Sequence, residues 1–133
     1  MSNKTLISIV DDDESVREAT RGLMSALGFA AEAFASGDDF LKSDHVHGTS
    51  CLIVDMQMPG MTGLELHARL VASGWAIPTI LITAYPDNRG RARALGAGIT
   101  CYLIKPFSED ALLDCIRLAL DPNGVRCDAG TSE

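Results

Sequence analysis

The stretch LISIVDDDESVREAT, residues 6–20, decides the fold. Leu6 to Val10 form an apolar run of single-strand length, and three aspartates end it. Beyond them Val16, Ala19, Leu23 and Leu27 recur at helical spacing, so a buried strand hands over to an amphipathic helix. Asp13 stands where that helix needs an N-cap. Apolar runs return, a weaker one at Phe29 to Ala35 and others at Cys51 to Val54, Thr79 to Ile82 and Cys101 to Ile104, and each reads as a strand buried on both faces. A last helical stripe is formed by Leu112, Cys115, Ile116, Ala119 and Leu120. Thr62 with Glu65, and Ser108 with the two acids after it, supply further N-caps, while Gly28 and Gly74 suit helix ends. Strand and helix therefore alternate five times. Parallel strands joined by helices cross over right-handedly, which gives an α/β fold: an open, doubly wound, five-stranded parallel sheet with five helices.

The 133 residues suffice for one domain, assigned to residues 1–120. Residues 121–133, DPNGVRCDAGTSE, open with a Pro-Asn-Gly breaker and read as a tail or the start of a linker. A net charge of -7 repels phosphate backbones and anionic membranes, so direct nucleic-acid binding by this segment is not expected. No apolar stretch approaches the roughly 20 residues that cross a bilayer, and the start MSNKTLISIV lacks a signal peptide's apolar core; the expected compartment is the cytoplasm. Cys51, Cys101, Cys115 and Cys127 show no CxxC spacing, and the first three read as small core hydrophobes. His45 and His47 could bind a metal weakly, but a solvated loop is the simpler reading.

In sheets of this kind ligands bind beyond the carboxyl ends of the strands. Asp11 and Asp12 follow the first strand, Asp55 the third, Thr83 the fourth and Lys105 the fifth. If the strand order is 2-1-3-4-5, the first and third strands are neighbours, which brings Asp11, Asp12 and Asp55 together. Two carboxylates about 5 Å apart repel by roughly 3 kcal/mol at an effective dielectric near 20, so three need a cation. Oxygen-only ligation suits Mg²⁺ or Mn²⁺.

Four segments, IVDDDES, IVDMQMPGMTGLEL, ILITAYPD and CYLIKPF, resemble the signatures of response-regulator receivers of bacterial two-component systems. The match runs from about Lys4 to Leu120, and VDDDESVREA with MPGMTGLEL is most similar to receivers of the nitrogen-fixation regulator type. The resemblance implies the flavodoxin-like receiver fold with strand order 2-1-3-4-5. It implies that Asp55 is the phosphoacceptor, taking a phosphoryl group from a sensor histidine kinase or a phosphotransfer protein. Asp12, Asp55 and the backbone carbonyl of Gln57 would bind Mg²⁺, with Asp11 acting mostly through water. Lys105 and Thr83 would stabilise the transferring group, and Thr83 with Tyr102 would form the switch that couples pocket to surface. The Lys105-Pro106 bond would be cis, and Met58-Pro59-Gly60 would turn the chain. The protein would catalyse its own phosphorylation and dephosphorylation without being a classical turnover enzyme. Its partners would be an output domain, or a second copy through the fourth helix, fifth strand and fifth helix.

The sequence departs from that pattern after Thr83, where Ala84-Tyr85-Pro86 replaces a Gly-containing turn. Gly90 among Arg89, Arg91 and Arg93, with apolar residues sparse before Leu95, predicts a short or frayed fourth helix and a weaker dimer face. A haloacid-dehalogenase-type aspartate phosphatase is the competing enzyme reading: Asp11-Asp12-Asp13-Glu14-Ser15 loosely imitates its nucleophile motif. Ser15 fits that motif poorly, and the chain leaves no length for a cap. A flavodoxin-like cofactor binder would need a phosphate loop where three aspartates stand.

Overall fold

The computed structural model describes residues 5–120, so the tail assigned to residues 121–133, with Cys127, lies outside the described residues. The elements run β1 Leu6–Val10, α1 Glu14–Ala26, β2 Ala30–Phe34, α2 Gly37–Lys42, a 3-10 turn Asp44–Val46, β3 Thr49–Asp55, α3 Gly63–Ala72, β4 Thr79–Thr83, α4 Asn88–Gly96, β5 Cys101–Ile104 and α5 Glu109–Leu120. The strands form one sheet in the order β2-β1-β3-β4-β5, and every pairing is parallel. Alternate residues of each central strand feed two cores. Val10, Leu52, Val54 and Leu81 pack with α2, α3 and α4, whereas Ile7, Ile9, Cys51, Ile53, Ile80 and Ile82 pack with α1 and α5.

The local signals act as expected at the helix ends. The Asp13 side chain accepts from the Ser15 and Val16 amides, Thr62 and Glu65 form a reciprocal capping box, and Ser108 accepts from Ala111. Gly28 and Gly74 adopt the left-handed backbone that stops α1 and α3. Gly63 is required by space: a Cβ there would lie 2.6 Å from the Asp55 carbonyl oxygen and 2.6 Å from a Leu81 methyl. The first turn of α3 thus rests directly on the end of β3.

Several expectations need correction. β2 and β5 are only partly buried, because edge strands have a neighbour on one side alone. The stripe of α1 is turned from the expected one: Thr20 and Met24 are buried, Ala19 is exposed, and Leu27 is a 42 % exposed C-cap. In α4 the buried residue is Ala94, while Leu95 is 49 % exposed. That helix is short, as anticipated, but Gly90 sits in its first turn with its amide bonded to Asp87, where glycine disrupts little. His45 and His47 stand in and beside the 3-10 turn with separate partners, Glu32 at 3.7 Å and the Trp75 ring at 4.7 Å between centroids. Cys51 and Cys115 are buried, and Cys101 is half-buried. No helix among the described residues is long and apolar enough to cross a membrane.

Candidate functional site

Register assembles the site before any side chain contributes. Val10 pairs with Val54, Asp55 with Ile82, and Thr83 with Ile104. The next residues along the edge are therefore Asp11, Asp55, Thr83 and Lys105, drawn from four adjacent strands. Asp11, Asp12 and Asp55 each place a carboxylate oxygen within 4.8 Å of the others. Asp11 and Asp55 are buried, and Asp12 is exposed.

Each group is held. The Asp55 Oδ1 accepts from the Gln57 amide at 2.9 Å, and its Oδ2 accepts from Lys105 Nζ at 2.9 Å. Lys105 Nζ also lies 3.8 Å from Asp11 Oδ2. Asp11 Oδ1 accepts from the Asp13 amide at 2.9 Å. Burial pushes the Asp11 carboxyl up to about 6; the Asp13 hydrogen bond opposes that rise, the Asp55 charge adds to it, and Lys105 opposes it. Burial pulls the Lys105 ammonium down, but Asp55 outweighs it, so its pKa lies above the ordinary lysine value. The Lys105-Pro106 peptide is cis.

Two arrangements lie outside the sequence reading. The Thr83 hydroxyl donates to the Gln57 side-chain oxygen at 2.9 Å and accepts from the Tyr85 amide at 3.0 Å. Gln57 thus holds Thr83 through its side chain, in addition to offering a backbone carbonyl. Arg17 on α1 donates to the Asp11 carbonyl oxygen at 2.8 Å and fixes the loop that carries the acids. No local pattern marks Arg17, because its partner is six residues away across the N-cap. Tyr102 is half-buried and packs against the core beneath α2, α3 and α4.

The donor set consists of carboxylates, with neither imidazole nor thiolate among them, and their oxygens lie within 4.8 Å of one another. A hard divalent cation fits such a set. A largely apolar cleft of about 550 Å³ is lined by Val16, Ala19, Thr20, Ala84, Pro106 and Phe107 together with Lys105.

Residues 7–117 match the response regulator receiver domain family. The response regulator protein TodT of Pseudomonas putida is 38% identical over 116 residues, covering 87% of this chain and 51% of that protein. The transcriptional regulatory protein FixJ of Azorhizobium caulinodans is 32% identical over 114 residues, covering 86% and 54% respectively. The solved structure of the response regulator StyR is 42% identical, covers 96% of this chain and 64% of its own, and superposes with a TM-score of 0.83. The chain spans about half the length of the curated relatives it matches. With the acids, hydroxyl and lysine standing on successive strand ends of a 2-1-3-4-5 sheet, and the family match running across them, the chain belongs to the response regulator receiver domains of two-component signal transduction.

Proposed function

We propose that this domain is a phosphorylation switch in which Asp55 accepts a phosphoryl group from a phosphohistidine on a sensor kinase or phosphotransfer protein. The observation that carries the reading is the Asp55 carboxylate held by the Lys105 ammonium at 2.9 Å, beside a carboxylate cluster. An Asp55 oxygen attacks phosphorus, the bond from phosphorus to the imidazole nitrogen breaks, and an acyl phosphate forms. Lys105 moves its hydrogen bond from the carboxylate to a phosphoryl oxygen, and Thr83 leaves Gln57 to donate to another. Asp12, Asp55 and the Gln57 carbonyl would hold Mg²⁺, or Mn²⁺, with Asp11 reached through water. When bound, the ion supplies charge neutralisation at the transferring group. The cleft at Ala84, Pro106 and Phe107 would give a donor protein a surface next to Lys105. The reaction is self-phosphorylation in the cytoplasm, read out by an output domain or a partner through Thr83 and Tyr102.

The test uses a small acyl phosphate with Mg²⁺, followed by intact-mass measurement. One phosphoryl group per chain is expected, and none on Asp55→Asn. Undiminished labelling of that variant removes Asp55 as the acceptor.

A further inference from the structure

Thr83 ends β4 and is 0 % exposed, so its hydroxyl must find its partners within the protein. A hydroxyl has one proton to donate and lone pairs to accept with. Both capacities are in use: the proton goes to Gln57 Oε1 at 2.9 Å, and a lone pair receives the Tyr85 amide at 3.0 Å. Donation to Gln57 and donation to a phosphoryl oxygen therefore exclude each other. Gln57 is also tied to Asp55, whose Oδ1 accepts from the Gln57 main-chain amide at 2.9 Å. One residue thus touches the proposed acceptor through its backbone and the proposed switch, 26 positions away, through its side chain.

We propose that the Gln57 side chain is the resting-state latch of the switch, a positioning residue that holds the Thr83 proton away from the phosphoryl site and sets how readily the switch is thrown. This deepens, and rests on, the reading of Asp55 as phosphoacceptor. Burial gives the latch its weight. Without the Gln57 oxygen, the resting conformation keeps a buried donor that has lost its acceptor, and such a group is costly. The phosphorylated conformation, in which Thr83 donates to a phosphoryl oxygen, loses nothing. Removing the acceptor therefore raises the resting state alone and moves the equilibrium toward the active one. A neutral hydrogen bond of ordinary net strength corresponds to roughly a two- to tenfold change in that equilibrium. The same rotation reaches the loop before α4: Tyr85 hangs its amide on the Thr83 oxygen, so a Thr83 that turns inward gives up both contacts together.

The experiment compares the unsubstituted chain with Gln57→Met, which keeps the length of the side chain but removes its oxygen, with Thr83→Ala, and with the double variant. Circular dichroism checks that each is folded. Beryllofluoride with Mg²⁺ is titrated as the phosphoryl mimic, and binding is followed by NMR. Gln57→Met should bind the mimic roughly two- to tenfold more tightly. In a chelator, without mimic, its Thr83 methyl resonance should already stand part of the way toward the mimic-bound position. In the Thr83→Ala background the same substitution should change affinity by less than about twofold, since no proton is left to hold. An affinity that Gln57→Met leaves unchanged or weakens overturns the latch. So does an equal gain with and without Thr83, which would place the effect on the Gln57 carbonyl or on packing. Those results leave Asp55 as the acceptor, whereas an unsubstituted chain that binds no mimic, or an Asp55→Asn chain that binds it equally, overturns the acceptor reading and the latch with it.

Discussion

Replacing Asp11 by asparagine should stabilise the metal-free protein, and should do so only where the carboxyl is ionised. Asp11 is 4 % exposed, and burial lifts its pKa from 3.8 to about 6. A carboxyl whose pKa is higher in the folded state costs stability when it ionises. The cost is absent well below 3.8, grows as pH rises, and is complete above about 6. The interval corresponds to about 3 kcal/mol. Asparagine keeps the side-chain oxygen that accepts from the Asp13 amide but gives up the charge 3.8 Å from Lys105, so part of the gain is returned. A net gain of about 1 to 3 kcal/mol at pH 8 is expected, or roughly 4 to 12 °C in Tm. Near pH 4 it should fall below about 1 kcal/mol. Thermal unfolding followed by circular dichroism, in a chelator and at both pH values, measures it. Adding Mg²⁺ should narrow or reverse the order, since in the proposed site the ion would bind more tightly to the chain that keeps its full acid set. An Asp11→Asn protein no more stable than the unsubstituted one at pH 8, or equally stabilised at pH 4, would show that burial of this charge is not what raises its pKa.

Mg²⁺ should raise the Tm as its concentration passes the dissociation constant, gaining about 2.7 kcal/mol at a hundredfold excess, and Asp12→Ala should lose the shift; equal responses would place the ion elsewhere. Thr83→Ala should still accept phosphate but weaken the response of Tyr102 to a beryllofluoride mimic, read by NMR. A full switch from 1% to 99% active needs about 5.5 kcal/mol, of which a lost hydrogen bond removes about 1 to 3. Tyr102 signals that ignore the mimic in the unsubstituted protein would assign the coupling to another group. Gly63→Ala should destabilise by about 1 to 3 kcal/mol through overpacking against the Asp55 carbonyl and Leu81, although alanine is the better helix former by about 1 kcal/mol. A higher Tm for that variant would mean that α3 yields there without cost.

The sheet was legible because each central strand is a continuous apolar run bounded by polar residues, and because register converts strand ends into neighbours. The same convergence made Asp11, Asp12, Asp55, Thr83 and Lys105 readable as one group without coordinates. Edge strands resisted: the run at Phe29 to Ala35, weakened by Glu32, still reads as buried on both faces. The α1 face was misread by about one residue, since Thr20 and Met24 bury where Ala19 and Leu23 were expected. Side-chain to side-chain contacts between distant residues were invisible. The hydrogen bond from Thr83 to Gln57 spans 26 positions and exists only once β3 and β4 are paired.

The bare α-carbon of Gly63 has one more effect. Because the first turn of α3 sits against the carbonyl of Asp55, with no side chain between them, the helix is a backstop for that residue. A side chain can swing to another rotamer and absorb a push, whereas a main-chain joint must pass it on. Under the proposed phosphorylation, which takes the Asp55 side chain from one negative charge to about two, recoil of β3 would reach α3 as a rigid-body displacement, along a route separate from the hydroxyl of Thr83 and the ring of Tyr102.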